Sequence, residues 1–398
     1  MTGPAIVRRV DLDGRELVVR GAVDPAFEGV VDAFVANHLD DEEFGSAVSV
    51  VVDGETVVDV WGGWIDPERT IEWDRDTLVC MMSVAKGITA IAFMMLVDRG
   101  LIDLDAPVAE VWPEFAANGK ERLPVRYLLD HRAGLPVLTP DRLWPGAMYD
   151  REAMVGALAA QAPLWEPGTV AAYHVHTQGY LLGEVMRRVD GRLVGEFVRD
   201  EIAGPLHADY WMGVPDAELG RVAPIFPHPD SKLFRSKDSG EVDDSLRALA
   251  FVQNPEGPWA DMLNSREFRQ MEMPSASGHG NARAVARIYG SVAAGGRGGA
   301  RLMSDAAVET MSTMQHDQIE LLQERHYRQG LGLLLNSPDA VYMGPHESAF
   351  GHHGIGGSIG FADPQERLGF GYSVNRMHAV GTNGPRAARL IDATFASL

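Results

Sequence analysis

Cys80-Met81-Met82-Ser83-Val84-Ala85-Lys86-Gly87-Ile88-Thr89-Ala90 is the stretch around which the rest of this chain is arranged. Ser83 and Lys86 stand three apart at the head of a run that stays apolar from Ile88 to Val97, and residues i and i+3 share one face of a helix. Hydroxyl and amine can therefore meet. A serine hydroxyl is a weak nucleophile until a base takes its proton, and a lysine can be that base once desolvation leaves its amine neutral. At the helix N-terminus Ser83 also offers its own N–H to a developing oxyanion, favoured by the positive end of the dipole. Ser-x-x-Lys is short enough to arise by chance, so its weight comes from the setting: a lysine opening so apolar a helix needs a reason.

Composition narrows the class of function. The 398 residues suit two lobes, and 45% hydrophobic content supplies a substantial core. With Lys plus Arg at 35 against Asp plus Glu at 56, the formal charge is −21 and no basic stripe exists, which argues against nucleic acid and anionic membrane surfaces as partners. The one cysteine, Cys80, excludes an internal disulfide, and its apolar neighbours suit a packed thiol better than a nucleophile. Residues 1–11 carry Arg8 and Arg9 but no apolar core for a signal peptide, and the run Ile88 to Val97 is too short to span a bilayer. The expectation is a soluble, cytoplasmic protein.

From Asp24 to His38, Phe27, Val30, Val31, Phe34 and Val35 recur at three and four, predicting an amphipathic helix laid on a sheet. That sheet is expected to begin with Ser46 to Val52, turn at Asp53-Gly54 and return through Thr56 to Trp61, with Gly100 ending the Ser83 helix. From about residue 101 to 265 short helical patterns and proline-rich loops dominate, and 226–259 reads as a long polar covering. Then Ala282 to Tyr289 predicts a helix, Leu331 to Leu335, Ser358 to Ala362 and Leu368 to Val374 predict strands, and Pro385 to Phe395 a final helix. Fold class is thus α+β: residues 1–80 and 270–398 form an α/β sheet domain, 81–269 a mainly helical domain, and the site lies between them.

Two further segments carry chemistry. In Glu166-Pro167-Gly168-Thr169-Val170-Ala171-Ala172-Tyr173-His174-Val175-His176 the Pro-Gly turn leads into an extended segment with Tyr173. Beside an ammonium its phenolate is favoured, so Tyr173 can share the Ser83 proton with Lys86, although a core tyrosine with a satisfied hydroxyl is the commoner role. Near the C-terminus, Gly351-His352-His353-Gly354-Ile355-Gly356-Gly357-Ser358-Ile359-Gly360 lets a strand edge approach a ligand and expose backbone N–H groups.

Taken in this order, the three segments resemble the serine hydrolases of the β-lactamase and penicillin-binding-protein superfamily, of class C type, and among these the family VIII carboxylesterases. Ser83-Val84-Ala85-Lys86 matches the first motif, Tyr173-His174-Val175 stands where that type has Tyr-Ser-Asn or Tyr-Ala-Asn, and His352-His353-Gly354 stands where it has Lys-Thr-Gly. The resemblance implies a β-lactamase/DD-peptidase-like fold with a central antiparallel sheet and an acyl-enzyme on Ser83. It also implies a proton relay through Lys86 and Tyr173, and an oxyanion held by the N–H groups of Ser83 and Ile355. His352, His353, Gly354 and Val175 would face the substrate, and no cofactor is needed. Which of Lys86 and Tyr173 is the base stays open, because coupled groups titrate as a pair. Two departures bear on substrate: Val175 cannot bond an amide side chain as asparagine would, and His352 is mostly neutral at pH 7 where lysine would pair a carboxylate. Both point to short-chain or small neutral esters, with a β-lactamase or D-amino acid peptidase/amidase as the alternative.

Other readings compete. Gly356-Gly357-Ser358-Ile359-Gly360 fits the Gly-x-Ser-x-Gly elbow of α/β-hydrolases, but that elbow needs a following helix and a strand is expected here. His174, His176, His352 and His353 invite a zinc site, yet adjacent residues of a strand point to opposite faces, so no metal is expected. Noncatalytic sensors of this fold stay acylated; they are usually tethered to a membrane segment.

Overall fold

The computed structural model describes residues 3–12, 14–40, 43–139, 141, 146–230, 245–251, 259–337 and 339–398. Among the described residues thirteen strands are formed: β1 (Ala5–Leu12), β2 (Arg15–Val23), β3 (Gly45–Val52), β4 (Glu55–Gly63), β5 (Val79–Cys80), β6 (Tyr210–Met212), β7 (Gly278–Gly280), β8 (His316–Glu320), β9 (Arg325–Gln329), β10 (Leu334–Leu335), β11 (Phe350–His353), β12 (Ile359–Asp363) and β13 (Leu368–Val374). Ten of them make one antiparallel sheet in the order β1-β2-β4-β3-β13-β12-β11-β10-β9-β8, so both ends of the chain contribute and meet where β13 pairs with β3. β5, β7 and β6 form a small second sheet.

Strand periodicity explains the layers. Phe370 and Tyr372 of β13 face α1 (Glu28–Asp40) and the C-terminal helix Gly384–Phe395, burying Val30, Val31, Phe34, Leu390 and Ile391. Gly369 and Gly371, between them, face the helix Ala282–Ala293. The backbones touch there: a Cβ on Gly371 would lie 2.2 Å from the Ala282 carbonyl oxygen. On this side α2 (Val84–Asp98) is buried on every face except its C-terminal end, from Val84 to Leu96. Gly87 lets it pack tightly, since a Cβ there would meet the Tyr289 hydroxyl at 2.0 Å.

Several expectations need revision. The sheet begins at Ala5, not Ser46, and β1, β2, β8 and β9 were not anticipated. β8 and β9 are polar, and β1 alternates exposed and half-buried residues up to the buried Leu12, so no strong hydrophobic pattern announces them. The strand expected over 331–335 shrinks to Leu334–Leu335, because Gly332 takes a positive φ of 75° and the Leu331 N–H bonds the Met311 carbonyl instead. Within the segment 101–265, expected to be mainly helical, lies the short strand β6. Of the covering at 226–259, residues 231–244 and 252–258 lie outside the described residues.

Candidate active site

Ser83 sits immediately before the first residue of α2, at φ −68° and ψ −1°. Met82 ahead of it is held at a positive φ of 51°, a costly conformation for a residue with a side chain, and this sharp turn presents the hydroxyl at the mouth of the helix. Ala85 N–H bonds the Met82 carbonyl and Lys86 N–H the Ser83 carbonyl, while among the described residues nothing accepts the N–H of Ser83 or of Ile355. The strand end at Gly354 lies close against this turn; a Cβ there would be 2.2 Å from the Met81 carbonyl oxygen.

Lys86, one helical turn on, is 2% exposed. Its Nζ donates to the carbonyl oxygens of Val175 at 2.7 Å and Ser275 at 2.9 Å, and lies 4.7 Å from the centre of the Tyr173 ring. Burial drives its pKa well below the ordinary lysine value. Two donated bonds are what a neutral amine can make, and they leave its lone pair free. Tyr173 is buried and its hydroxyl is hydrogen-bonded to Ser83; burial pushes its pKa well above 10, and the bond to Ser83 only partly opposes that. Burial thus disfavours the charged form of both Lys86 and Tyr173.

The segment holding Tyr173 is tied down from a distance. Glu320, at the end of β8 and 1% exposed, accepts the backbone N–H of Tyr173 and those of Leu322 (2.9 Å) and Gln323 (2.7 Å). His174 serves the same segment: Nδ1–H donates to the Ala172 carbonyl at 2.6 Å and Nε2 accepts from Leu135 N–H at 3.2 Å.

A crevice of about 810 Å³, open to solvent, lies over Ser83 and is lined by Met82, Tyr173, Val175, His176, Arg247, Phe251, Ala276, Gln323, Arg325, Tyr327, His353, Ile355 and Gly381. The residues singled out in the sequence thus divide. Ser83, Tyr173, Val175, His353 and Ile355 face the crevice; Lys86, His352 and Gly354 stand behind its wall. His352 packs its ring 6.1 Å from that of Tyr173 and donates Nδ1–H to the His353 carbonyl at 2.7 Å; burial holds it neutral. Burial also holds His353 neutral, its pKa down at about 4. Phe251 does line the crevice, as its apolar character allowed. Arg247, Gln323, Arg325, Tyr327 and Glu320 were not foreseen, because they come from the polar β8–β9 ribbon and a short helix with no motif of their own.

The second serine is placed elsewhere. Ser358 is buried ahead of strand β12, and its Oγ accepts the Val374 N–H at 3.4 Å, so the glycine-rich elbow is a strand entry. Among the described residues no group of three or more His, Cys, Asp or Glu side chains could hold a metal ion, and no helix is long and apolar enough to cross a membrane.

A half-buried Ser-x-x-Lys serine at a helix mouth, a tyrosine on its hydroxyl and a broad antiparallel sheet behind them define a serine hydrolase of the β-lactamase fold. The chain belongs to the Beta-lactamase family, whose model matches residues 28–394. It is 35% identical over 376 residues to Esterase/beta-lactamase LipL of Mycobacterium tuberculosis, covering 90% of this chain and 83% of that protein. A solved family VIII carboxylesterase superposes with a TM-score of 0.87 at 38% identity, over 96% of this chain and 100% of that one. A penicillin-binding protein homolog from Caulobacter crescentus gives 0.87 at 37% identity, with the same coverage of both chains.

Proposed function

We propose that this protein is a carboxylesterase that cleaves small, short-chain esters through an acyl-enzyme on Ser83. The observation that carries the reading is the Ser83 hydroxyl bonded to Tyr173, with the Lys86 amine buried beside them and its pKa driven well below the ordinary value. As Ser83 Oγ attacks the ester carbonyl, its proton passes to the Tyr173 hydroxyl while the Tyr173 proton moves to the free Lys86 amine. The carbonyl oxygen becomes an oxyanion held by the N–H groups of Ser83 and Ile355. Collapse expels the alkoxide, which takes the proton back through the same pair. Water, deprotonated by the same relay, then attacks the acyl-enzyme and releases the acid. Relatives named as esterases support ester over amide chemistry.

The test separates the two serines. Ser83→Ala should abolish turnover of p-nitrophenyl esters and labelling by a fluorophosphonate, while Ser358→Ala should keep a folded, labelled enzyme. A label that follows Ser358 would overturn the proposal.

A further inference from the structure

The crevice over Ser83 has an uneven charge. Two guanidiniums, Arg325 at the start of β9 and Arg247 on the short helix Leu246–Phe251, line it, and no carboxylate does among the described residues. This is notable in a chain with 56 acidic residues against 35 basic ones, where arginines such as Arg132, Arg151, Arg192, Arg221 and Arg283 are each paired with carboxylates. Arg325 is pinned without being neutralised: Nη1 donates to the Gly381 carbonyl at 2.7 Å, and its side chain and that of Gln323 bond the buried Tyr327 hydroxyl. Arg247 donates to the Leu322 carbonyl at 3.0 Å and lies over the Phe251 ring. Both cations are thus positioned by neutral acceptors on a half-apolar wall, where solvent screening is weaker than at open surface.

We propose that Arg325, assisted by Arg247, is a carboxylate-recognition subsite, and that the preferred esters carry a carboxylate at the end remote from the scissile bond. The guanidinium fork matches a carboxylate in two parallel hydrogen bonds, and the Gly381 carbonyl and the Tyr327 hydroxyl hold that fork in place. This revises the expectation of neutral substrates. The charge argument in that expectation rested on His352, which is neutral and stands behind the wall; the positive charge of the crevice is supplied by a strand and a short helix elsewhere. The inference rests on the reading of Ser83 as nucleophile in the same crevice.

The experiment uses ester pairs of matched length that differ in one charge. p-Nitrophenyl hemiglutarate against p-nitrophenyl pentanoate puts the carboxylate on the acyl arm; 4-acetoxyphenylacetate against its primary amide puts it on the alcohol arm. In one pair the charged member should have a kcat/KM at least tenfold higher, the arm identifying which side of the ester reaches Arg325. Arg325→Gln should bring that ratio down about tenfold, Arg325→Glu should invert it, and Arg247→Gln should lower it by a smaller factor. Should Arg325→Gln not fold, Arg325→Lys keeps the charge, loses the fork and should lower the ratio severalfold. The ratio cancels any general loss of folding or turnover, which a structural role would produce in both members alike. Equal or better turnover of the neutral member in both pairs, or a ratio unmoved by Arg325→Gln, overturns the subsite. Loss of activity in Ser83→Ala with such a flat ratio leaves the esterase reading intact and removes this one alone.

Discussion

Tyr173→Phe removes a single oxygen from the centre of the relay. The ring keeps its neighbours: Lys86 Nζ at 4.7 Å, the His131 ring at 4.9 Å, the His352 ring at 6.1 Å and the Tyr327 ring at 6.4 Å. What is lost is the hydrogen bond to Ser83 and, in the relay proposed above, the route by which its proton reaches Lys86. A positioned acid–base group contributes about 10² to 10⁴ in rate, so kcat should fall by that factor, about 2.7 to 5.4 kcal/mol of barrier. Folding should hardly notice. One hydrogen bond contributes about 1 kcal/mol. Spread over 398 residues at about 2.1 cal/mol/K each, the unfolding entropy is ~0.8 kcal/mol/K, so Tm should drop by only about 1 °C. Steady-state hydrolysis of p-nitrophenyl butyrate beside a calorimetric melt reads both numbers. Lys86→Ala should cost a similar factor in kcat, and the double variant should lose far less than the product of the two, because the pair acts as a unit. A Tyr173→Phe enzyme within threefold of the parent refutes the relay; so does a multiplicative double variant.

Two other expectations follow from particular side chains. Val175 presents an apolar wall to the place where a penicillin or cephalosporin carries its amide, and an unbonded polar group is costly there. Ester kcat/KM should therefore exceed that for a chromogenic cephalosporin by about a hundredfold, ~2.7 kcal/mol, and Val175→Asn should narrow the gap; efficient cephalosporin hydrolysis by the parent counts against this. Glu184 is buried in the helix Thr177–Asp190, where burial would raise its pKa, but Arg187, Arg188 and Arg151 outweigh that and hold it down at about 2. A carboxyl with a depressed folded pKa stabilises fully above its unfolded value and loses that contribution as pH falls toward the folded one. Thermal melts should thus show Glu184→Gln less stable than the parent at pH 7, with the difference closing between about pH 4.5 and 2; a constant difference would mean the charge is not what matters.

The sequence by itself pointed to the family and to much of the framework. That Ser83, Lys86 and Tyr173 lie together was legible in part, because helical spacing puts the first two on one face. The helices at 28–40, 84–98 and 282–293, and the strands β3, β4, β12 and β13, were legible because each buries one face or both, and burial writes a period into the residues. Edge ribbons write none. β1, β8 and β9 keep charged residues toward water, so hydrogen bonding to a neighbour strand, more than burial, makes them strands. Tertiary structure alone decided what stands across from Ser83. Glu320 reaches the Tyr173 backbone from 147 residues away, and Arg325 enters the crevice because β9 follows Glu320 at the far edge of the sheet. No local pattern encodes such a meeting, since each partner is an ordinary polar residue until the sheet brings the two together.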